Sequence, residues 1–141
     1  MLRSANDTMQ GPSLAEQRLL AEALVAVERW LPTGWSVVTR RRFRGPAPAH
    51  DGIWEFLAPD GQRARFLVEA RRTLEPRAAA LLVESLRPDT SWLVVARYLG
   101  AATRAKLAAA RVSYFDLSGN VYISSAAPGL LLRADGAAKD P

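Results

Sequence analysis

The stretch from Asp51 to Arg71 constrains the fold of this chain most, because its alternating pattern of apolar residues is interrupted by one strong turn motif. Pro59-Asp60-Gly61 supplies the turn: proline fixes a negative φ, aspartate tolerates the bridge region, and glycine takes the left-handed position. A turn of this length places Ala58 opposite Gln62. The stretch is therefore predicted to form a β-hairpin.

The register of the hairpin follows by counting away from the turn. Side chains of a strand alternate between the two faces of a sheet, so each face collects its own set. One face receives aromatic and small apolar side chains, with Trp54 opposite Phe66 as a favourable cross-strand pair. A one-residue slip would mix the two sets, so the pattern itself supports this register. The pairs predicted for the other face are Leu57 with Arg63, Glu55 with Arg65, Ile53 with Leu67, and Asp51 with Glu69.

This second face brings two carboxylates, Asp51 and Glu69, to one end of the hairpin, with Arg71 two residues further on. Adjacent carboxylates repel each other unless a cation lies between them. A hard divalent cation such as Mg²⁺, held by one or two carboxylates and by water, is one such cation. The guanidinium of Arg71 is the other. The choice between them decides whether the chain is predicted to be an enzyme.

A lone aspartate, one hairpin, and then Glu-x-Lys on the next strand resembles the signature of the PD-(D/E)XK nuclease superfamily, which has the restriction-endonuclease-like fold. The matching residues are Asp51 and Glu69-Ala70-Arg71, with Arg71 at the position of the family lysine. The segments 92–123 and 128–133 extend this likeness. They resemble the nuclease-like domain found ahead of winged-helix modules in some bacterial transcriptional regulators and antitoxin-like proteins. The resemblance covers about residues 13–135.

The resemblance implies catalytic roles for Asp51, Glu69 and Arg71, with Asp51 and Glu69 as ligands of Mg²⁺ if the chain is catalytic and no cofactor otherwise. Arginine stays protonated and forms a planar fork with carboxylates, whereas a buried lysine can lose its proton and assist the attacking water. Arg71 is therefore expected to occupy the space that a metal ion needs. Related nucleases often have a third carboxylate ligand on a helix. Glu16 and Glu22 are the candidates for this ligand. For both residues, a position on the ordinary helix surface is the favoured interpretation.

Two loop features have both a functional and a structural interpretation. His50, the only histidine, precedes Asp51, but its loop of proline and alanine favours a surface position over a metal ligand. With no second histidine and no cysteine, a zinc site is not expected. The segment Asp116-Leu117-Ser118-Gly119-Asn120 could carry function because loops often do. Its aspartate, glycine and asparagine favour a turn instead.

The excess of basic over acidic residues favours a nucleic-acid-binding protein. The net charge is +5 and the isoelectric point is near 10.4, which is typical of nucleic-acid-binding domains. Arg40, Arg42 and Arg44 alternate along one predicted strand and so share a face. Contact with DNA phosphates is one interpretation, and a solvated edge strand protected from aggregation by its charges is the other. Phe43 is the only aromatic residue within this run, which disfavours stacking on single strands.

Composition bounds the organisation of the chain. With 141 residues, 49% of them hydrophobic, it suits one globular domain, and the lack of cysteine excludes disulfides. No signal peptide is predicted from the polar N-terminal residues, and no apolar run approaches the ~20 residues that span a bilayer, so a soluble cytoplasmic protein is expected. The expected parts are a disordered leader (residues 1–12), the domain (residues 13–133) and a polar tail or linker (residues 134–141).

Periodicity and breakers predict the order of elements. A capping box of Ser13 and Glu16 opens a helix that runs to about Leu31. A strand over 35–44 and the hairpin follow, then a helix from Pro76, a doubly buried strand over 92–98, a helix near 101–110 and short strands. This order, α-β-β-β-α-β-α-β, predicts an α/β domain with a mixed sheet flanked by helices, in which the third and fourth strands are parallel.

The sequence thus predicts a restriction-endonuclease-like domain that binds DNA, or helps a neighbouring winged-helix domain to bind it, without efficient cleavage. The expected setting is transcriptional regulation, or a toxin–antitoxin or defence system. Two alternatives stay open. One is an active Mg²⁺-dependent endonuclease that uses Asp51 and Glu69, with Arg71 in the role of the lysine. The other is a protein–protein module, such as one that forms a homodimer.

Overall fold

The computed structural model describes residues 12–40 and 50–136. Within them the chain forms a mixed α/β fold with the predicted order of elements, ending in three short strands. The helices are α1 (Leu14–Glu28), α2 (Pro76–Ser85) and α3 (Ala101–Ala109). The strands are β1 (Ser36–Arg40), β2 (Gly52–Leu57), β3 (Arg63–Arg71), β4 (Trp92–Ala96), β5 (Ser113–Asp116), β6 (Val121–Ala126) and β7 (Gly129–Ala134).

These seven strands form one mixed sheet in which the order in space is the order in sequence, β1 to β7. The central strands β3, β4 and β5 are parallel, and the hairpins on either side are antiparallel. Parallel neighbours need a crossover connection, and α2 and α3 supply the two that are required. The predicted parallel pairing of the third and fourth strands is confirmed.

The predicted register of the β2–β3 hairpin is confirmed from Gly52–Val68 to Leu57–Arg63. At the turn, the Ala58 N–H donates to Gln62 O at 2.8 Å. Gly61 has a φ of 88°, the left-handed conformation that the sequence assigned to it. The turn chemistry and the alternation of side chains therefore specify the same pairing.

Each face of the sheet buries its own apolar cluster. On one face, α1 packs against the aromatic side of the hairpin, where Phe56 and Phe66 meet edge to face at 5.5 Å. On the other face, α2 and α3 pack over the central strands. All five residues of β4 are buried, as expected for a strand covered on both faces.

The ends of the predicted elements differ in places. The capping box at the start of α1 is present, but the helix predicted to reach about Leu31 ends at Glu28. Pro32 disfavours a helical conformation at the residue before it, and the chain turns there. Residues 41–44 of the predicted first strand lie outside the described residues, as do residues 1–11 and 137–141.

The segment predicted to be a turn, 116–120, is built around the fully buried carboxylate of Asp116. Its Oδ1 accepts hydrogen bonds from the N–H groups of Ser118 and Asn120, and its Oδ2 accepts from Leu99 N and Asn120 Nδ2, all at 2.8–3.0 Å. Asn120 Oδ1 in turn accepts from Gly136 N at 2.7 Å. These bonds tie β5 to two other loops, so the turn interpretation holds and the carboxylate has a structural role.

We expect Asp116→Ala to lower the free energy of unfolding by about 3 kcal/mol or more, because it leaves several buried N–H donors without an acceptor. Asp135→Ala is the control: that side chain is highly exposed and pairs with Arg104 at the surface, so about 1 kcal/mol or less is expected. Urea denaturation of both variants measures the difference. Equal effects would contradict the role assigned to Asp116.

Candidate functional site

The predicted carboxylate site lies where β2 begins and β3 ends. Asp51 does not extend the regular ladder, which begins at Gly52. Its N–H donates to Val68 O, and its Oδ2 accepts the N–H of Ala70, both at 2.8 Å. The side chain of Asp51 therefore reaches across the β3 backbone at the level of Glu69, and one of its oxygens already has a donor.

Glu69 and Arg71 form an ion pair on β3. Arg71 Nη2 lies 2.7 Å from Glu69 Oε2, a short charge-assisted contact. The Glu69 side chain is 13% exposed and that of Arg71 is 38% exposed. The two residues are one strand repeat apart, so their side chains point to the same face. Arg71 is thus a cationic partner of this carboxylate, which is one of the two alternatives that the sequence left open.

The electrostatics of the two carboxyl groups are unusual. Burial and the nearby Asp51 carboxylate raise the pKa of Glu69 from its ordinary 4.5 to about 7, although Arg71 opposes the shift. Burial also raises the pKa of Asp51, against the opposing hydrogen bond from Ala70. The two carboxyl groups are therefore close enough to repel each other, and a single guanidinium does not neutralise both.

A third carboxylate acts on this pair. Glu16, in the first turn of α1, raises the pKa of both Asp51 and Glu69 by repulsion. Its Oε1 also accepts the N–H of Ser13 in the capping box at 2.9 Å, which holds the side chain at the helix start. Of the two helix candidates, Glu16 faces the site, and Glu22 lies exposed on α1.

This donor set does not fit a divalent metal ion. Among the described residues, no group of three or more His, Asp or Glu side chains is arranged to hold one. Glu69 Oε2 is paired with Arg71, and Asp51 Oδ2 is bonded to a backbone N–H. A hard cation needs several oxygen ligands, and one oxygen of each of these two carboxylates is already engaged within the chain.

His50 lies next to this cluster, and its electrostatic influence lowers the pKa of Asp51, against the larger effect of burial. Both residues line a cavity of about 560 Å³ together with apolar side chains of α1, among them Leu20 and Leu24. The Asp51 carboxylate is therefore at the wall of a cleft.

The second predicted site, the arginine run, has only one described member. Arg42 and Arg44 lie outside the described residues, whereas Arg40 ends β1. Arg40 Nε donates to Glu55 Oε1 at 2.9 Å, so this arginine is anchored on the sheet. The run predicted for phosphate contact is therefore described at Arg40 alone.

The Glu55 carboxylate gathers two more arginines, which the sequence did not single out as binding residues. Arg65 Nη2 lies 2.9 Å from Glu55 Oε2, and Arg63 Nη1 lies 3.6 Å from Oε1. Burial would raise the pKa of Glu55, but hydrogen bonds from Arg40 and Arg65 outweigh it and hold the pKa below its ordinary value. We call Glu55 with its three arginines the Glu55 cluster. In the sequence, the predicted cross-strand pairing of Glu55 with Arg65 was the one indication of this cluster.

Comparisons with known proteins do not identify a family. No protein-family profile matches the sequence, and no curated protein is similar to it in sequence. Among solved structures, the chain is similar to the apo form of EndoMS, with a TM-score of 0.38 and 20% identity over 76% of this chain. The chain spans about half of that protein, 48%. A similarity this low does not establish a shared function.

No helix within the described parts of the chain is long and apolar enough to cross a membrane.

The raised pKa of Glu69 predicts a pH-dependent contribution to stability. A carboxyl group whose pKa is higher in the folded state than in the unfolded state stabilises folding below the unfolded value, and the contribution is lost as pH rises through the folded value. As pH rises from about 4.5 to above 7, the wild type should lose up to about 3 kcal/mol relative to Glu69→Gln, which stays neutral.

Urea denaturation of both proteins across this range measures the difference, and subtraction of the variant removes the contributions of other carboxyl groups. Carboxyl-carbon NMR titration gives the pKa directly. A Glu69 pKa near 4.5, or a stability difference that does not change with pH, would contradict the electrostatics described above.

Proposed function

We propose that this chain is a restriction-endonuclease-like domain that binds duplex DNA and does not cleave it efficiently. The observation that carries the proposal is the contact of 2.7 Å between Arg71 and Glu69, at the position where the resembling nucleases have a lysine beside a metal-binding carboxylate. Arginine cannot lose its proton at any physiological pH. A permanent cation therefore stands at the carboxylates.

Metal-dependent cleavage of a phosphodiester requires a cation that polarises the phosphoryl oxygen and presents a hydroxide. Repulsion between the Arg71 guanidinium and a second cation a few ångströms away is on the order of several kcal/mol at an effective dielectric constant near 20. Two carboxylates, each with one oxygen already engaged by Arg71 or by a backbone N–H, offer little to offset it. This balance supports binding without efficient cleavage.

The DNA part of the proposal is supported by charge. The net charge of +5 and the basic isoelectric point favour association with a polyanion. The resemblance to domains that precede winged-helix modules adds the setting: transcriptional regulation or a toxin–antitoxin or defence system, with a winged-helix domain as neighbour. A cytoplasmic location belongs to the same proposal.

Wild-type protein should leave supercoiled plasmid intact in the presence of Mg²⁺ or Mn²⁺. Arg71→Lys should bind Mn²⁺ about tenfold more tightly or better, because lysine is more compact and can lose its proton. A plasmid-nicking assay and calorimetric titration with Mn²⁺ measure the two effects. Glu69→Gln is the matched control, since it removes the carboxylate and keeps its shape.

Metal-dependent nicking by the wild type that vanishes in Glu69→Gln would overturn the proposal and establish the endonuclease alternative. Failure of the wild-type chain to bind duplex DNA at low salt would refute the DNA-binding part.

A further inference from the structure

We propose that the Glu55 cluster is the surface through which this domain contacts the phosphate backbone of duplex DNA. This inference rests on the proposed function, because it assigns a site to the DNA binding proposed above. The sequence predicted phosphate contact at the consecutive run that begins with Arg40 at the end of β1. The structure instead brings Arg40 of β1 together with Arg63 and Arg65 of β3.

The cluster is a strongly charged part of the described surface. Three guanidinium groups share one carboxylate, which leaves a net charge of +2. The side chains of Arg40, Arg63 and Arg65 are 46%, 57% and 46% exposed, whereas that of Glu55 is 1% exposed. The positive charge is therefore at the surface and the negative charge is beneath it.

Glu55 also fixes where the arginines lie. Arg40 comes from β1, and Arg63 and Arg65 come from β3, with Glu55 on the strand between them. Arg63 and Arg65 are two residues apart on one strand, a spacing of about 7 Å. The guanidiniums held at 2.9 Å need little further ordering when a phosphate binds, which lowers the entropic cost of recognition.

The helices do not cover this part of the sheet. The cross-strand pair Ile53–Leu67 belongs to the apolar cluster packed under α2 and α3. The next pair on the same face towards the turn is Glu55–Arg65, followed by Leu57–Arg63. Apolar burial therefore gives way to charge within one strand repeat, where the three arginine side chains are about half exposed.

The arrangement fits a duplex better than a single strand. Proteins that bind single strands without sequence preference stack bases on aromatic side chains. In this hairpin the aromatic residues Trp54, Phe56 and Phe66 lie on the opposite face and are buried against α1. The residues of the Glu55 cluster can therefore contact phosphates, and none of the described aromatic rings of the hairpin lies beside them for base stacking. Backbone contacts alone give binding with little sequence preference.

The test compares two double variants of the full chain that lose the same charge. Arg63→Gln/Arg65→Gln removes two members of the cluster. Arg18→Gln/Arg29→Gln, the α1 variant, removes one exposed arginine of α1 and the exposed arginine that follows its last residue; α1 packs on the other face of the sheet. Binding to a labelled duplex is followed by fluorescence anisotropy from about 50 to 200 mM salt. Circular dichroism and thermal unfolding verify that both variants fold.

The cluster variant should bind at least about tenfold more weakly at low salt, and its log–log salt slope should fall by about 1.8, since each lost phosphate contact contributes about 0.9. The α1 variant should keep a slope within about 0.5 of the wild type. The Nε–H resonances of Arg40 and Arg65, which donate to Glu55, should shift when duplex is added to the wild type.

Each other outcome overturns the inference in its own way. Equal losses in both variants would mean that net charge alone drives binding, and an unchanged cluster variant would place the contact elsewhere; the proposed function survives both. If single strands or duplex RNA bound more tightly than duplex DNA, and this binding depended on the cluster, duplex DNA would be the wrong ligand for this surface. No binding of duplex by the wild type at low salt would refute the proposed function itself.

Discussion

The pairing of β2 with β3 is the constraint on which the rest of the structure depends. Its turn sets the register, and the register sends Trp54, Phe56 and Phe66 to one face. Burial of those rings against α1 stabilises the register in return, because a slip by one residue would place charged side chains in the core. The remaining strands then add to an edge whose direction is already fixed.

Two glutamates on the same face of this hairpin lie near arginines, but their pKa values shift in opposite directions. Glu55 has three guanidinium groups around it, and the hydrogen bonds from Arg40 and Arg65 outweigh its burial, so its pKa falls. Glu69 has one guanidinium but two carboxylate neighbours, Asp51 and Glu16, and its pKa rises to about 7. Burial raises the pKa of both groups, and the neighbouring charges offset this effect at Glu55 and add to it at Glu69.

Local patterns predicted the hairpin well. The Pro59-Asp60-Gly61 turn and the alternation beside it are contiguous in sequence, so counting was enough to place Glu55 opposite Arg65 and to bring Glu69 and Arg71 to one face. The segment 116–120 also carried its turn chemistry within itself, although its bonds to Leu99 and Gly136 could not be predicted.

Contacts between separate elements could not be predicted from local sequence patterns. The anchoring of Arg40 on Glu55 depends on how β1 aligns with β2, and no turn motif specifies that alignment. The repulsion between Glu16 and the Asp51–Glu69 pair depends on where α1 begins relative to the end of β3. The hydrogen bond from Ala70 N–H to Asp51 Oδ2 forms where the regular β2–β3 ladder ends, and the alternation of side chains does not predict it.

The strand order has a consequence for how the chain folds. Every strand pairs with the strand before it and the strand after it in sequence, and the two edge strands are the first and the last. Among the described strands, none has to be inserted between two that are already paired, so each pairing closes only the connection between strands that are neighbours in sequence. Short sequence separation between contacts lowers the entropic barrier to their formation. The sheet can therefore grow one neighbouring strand at a time, and this topology avoids the slow closure of distant ends that many β-rich topologies require.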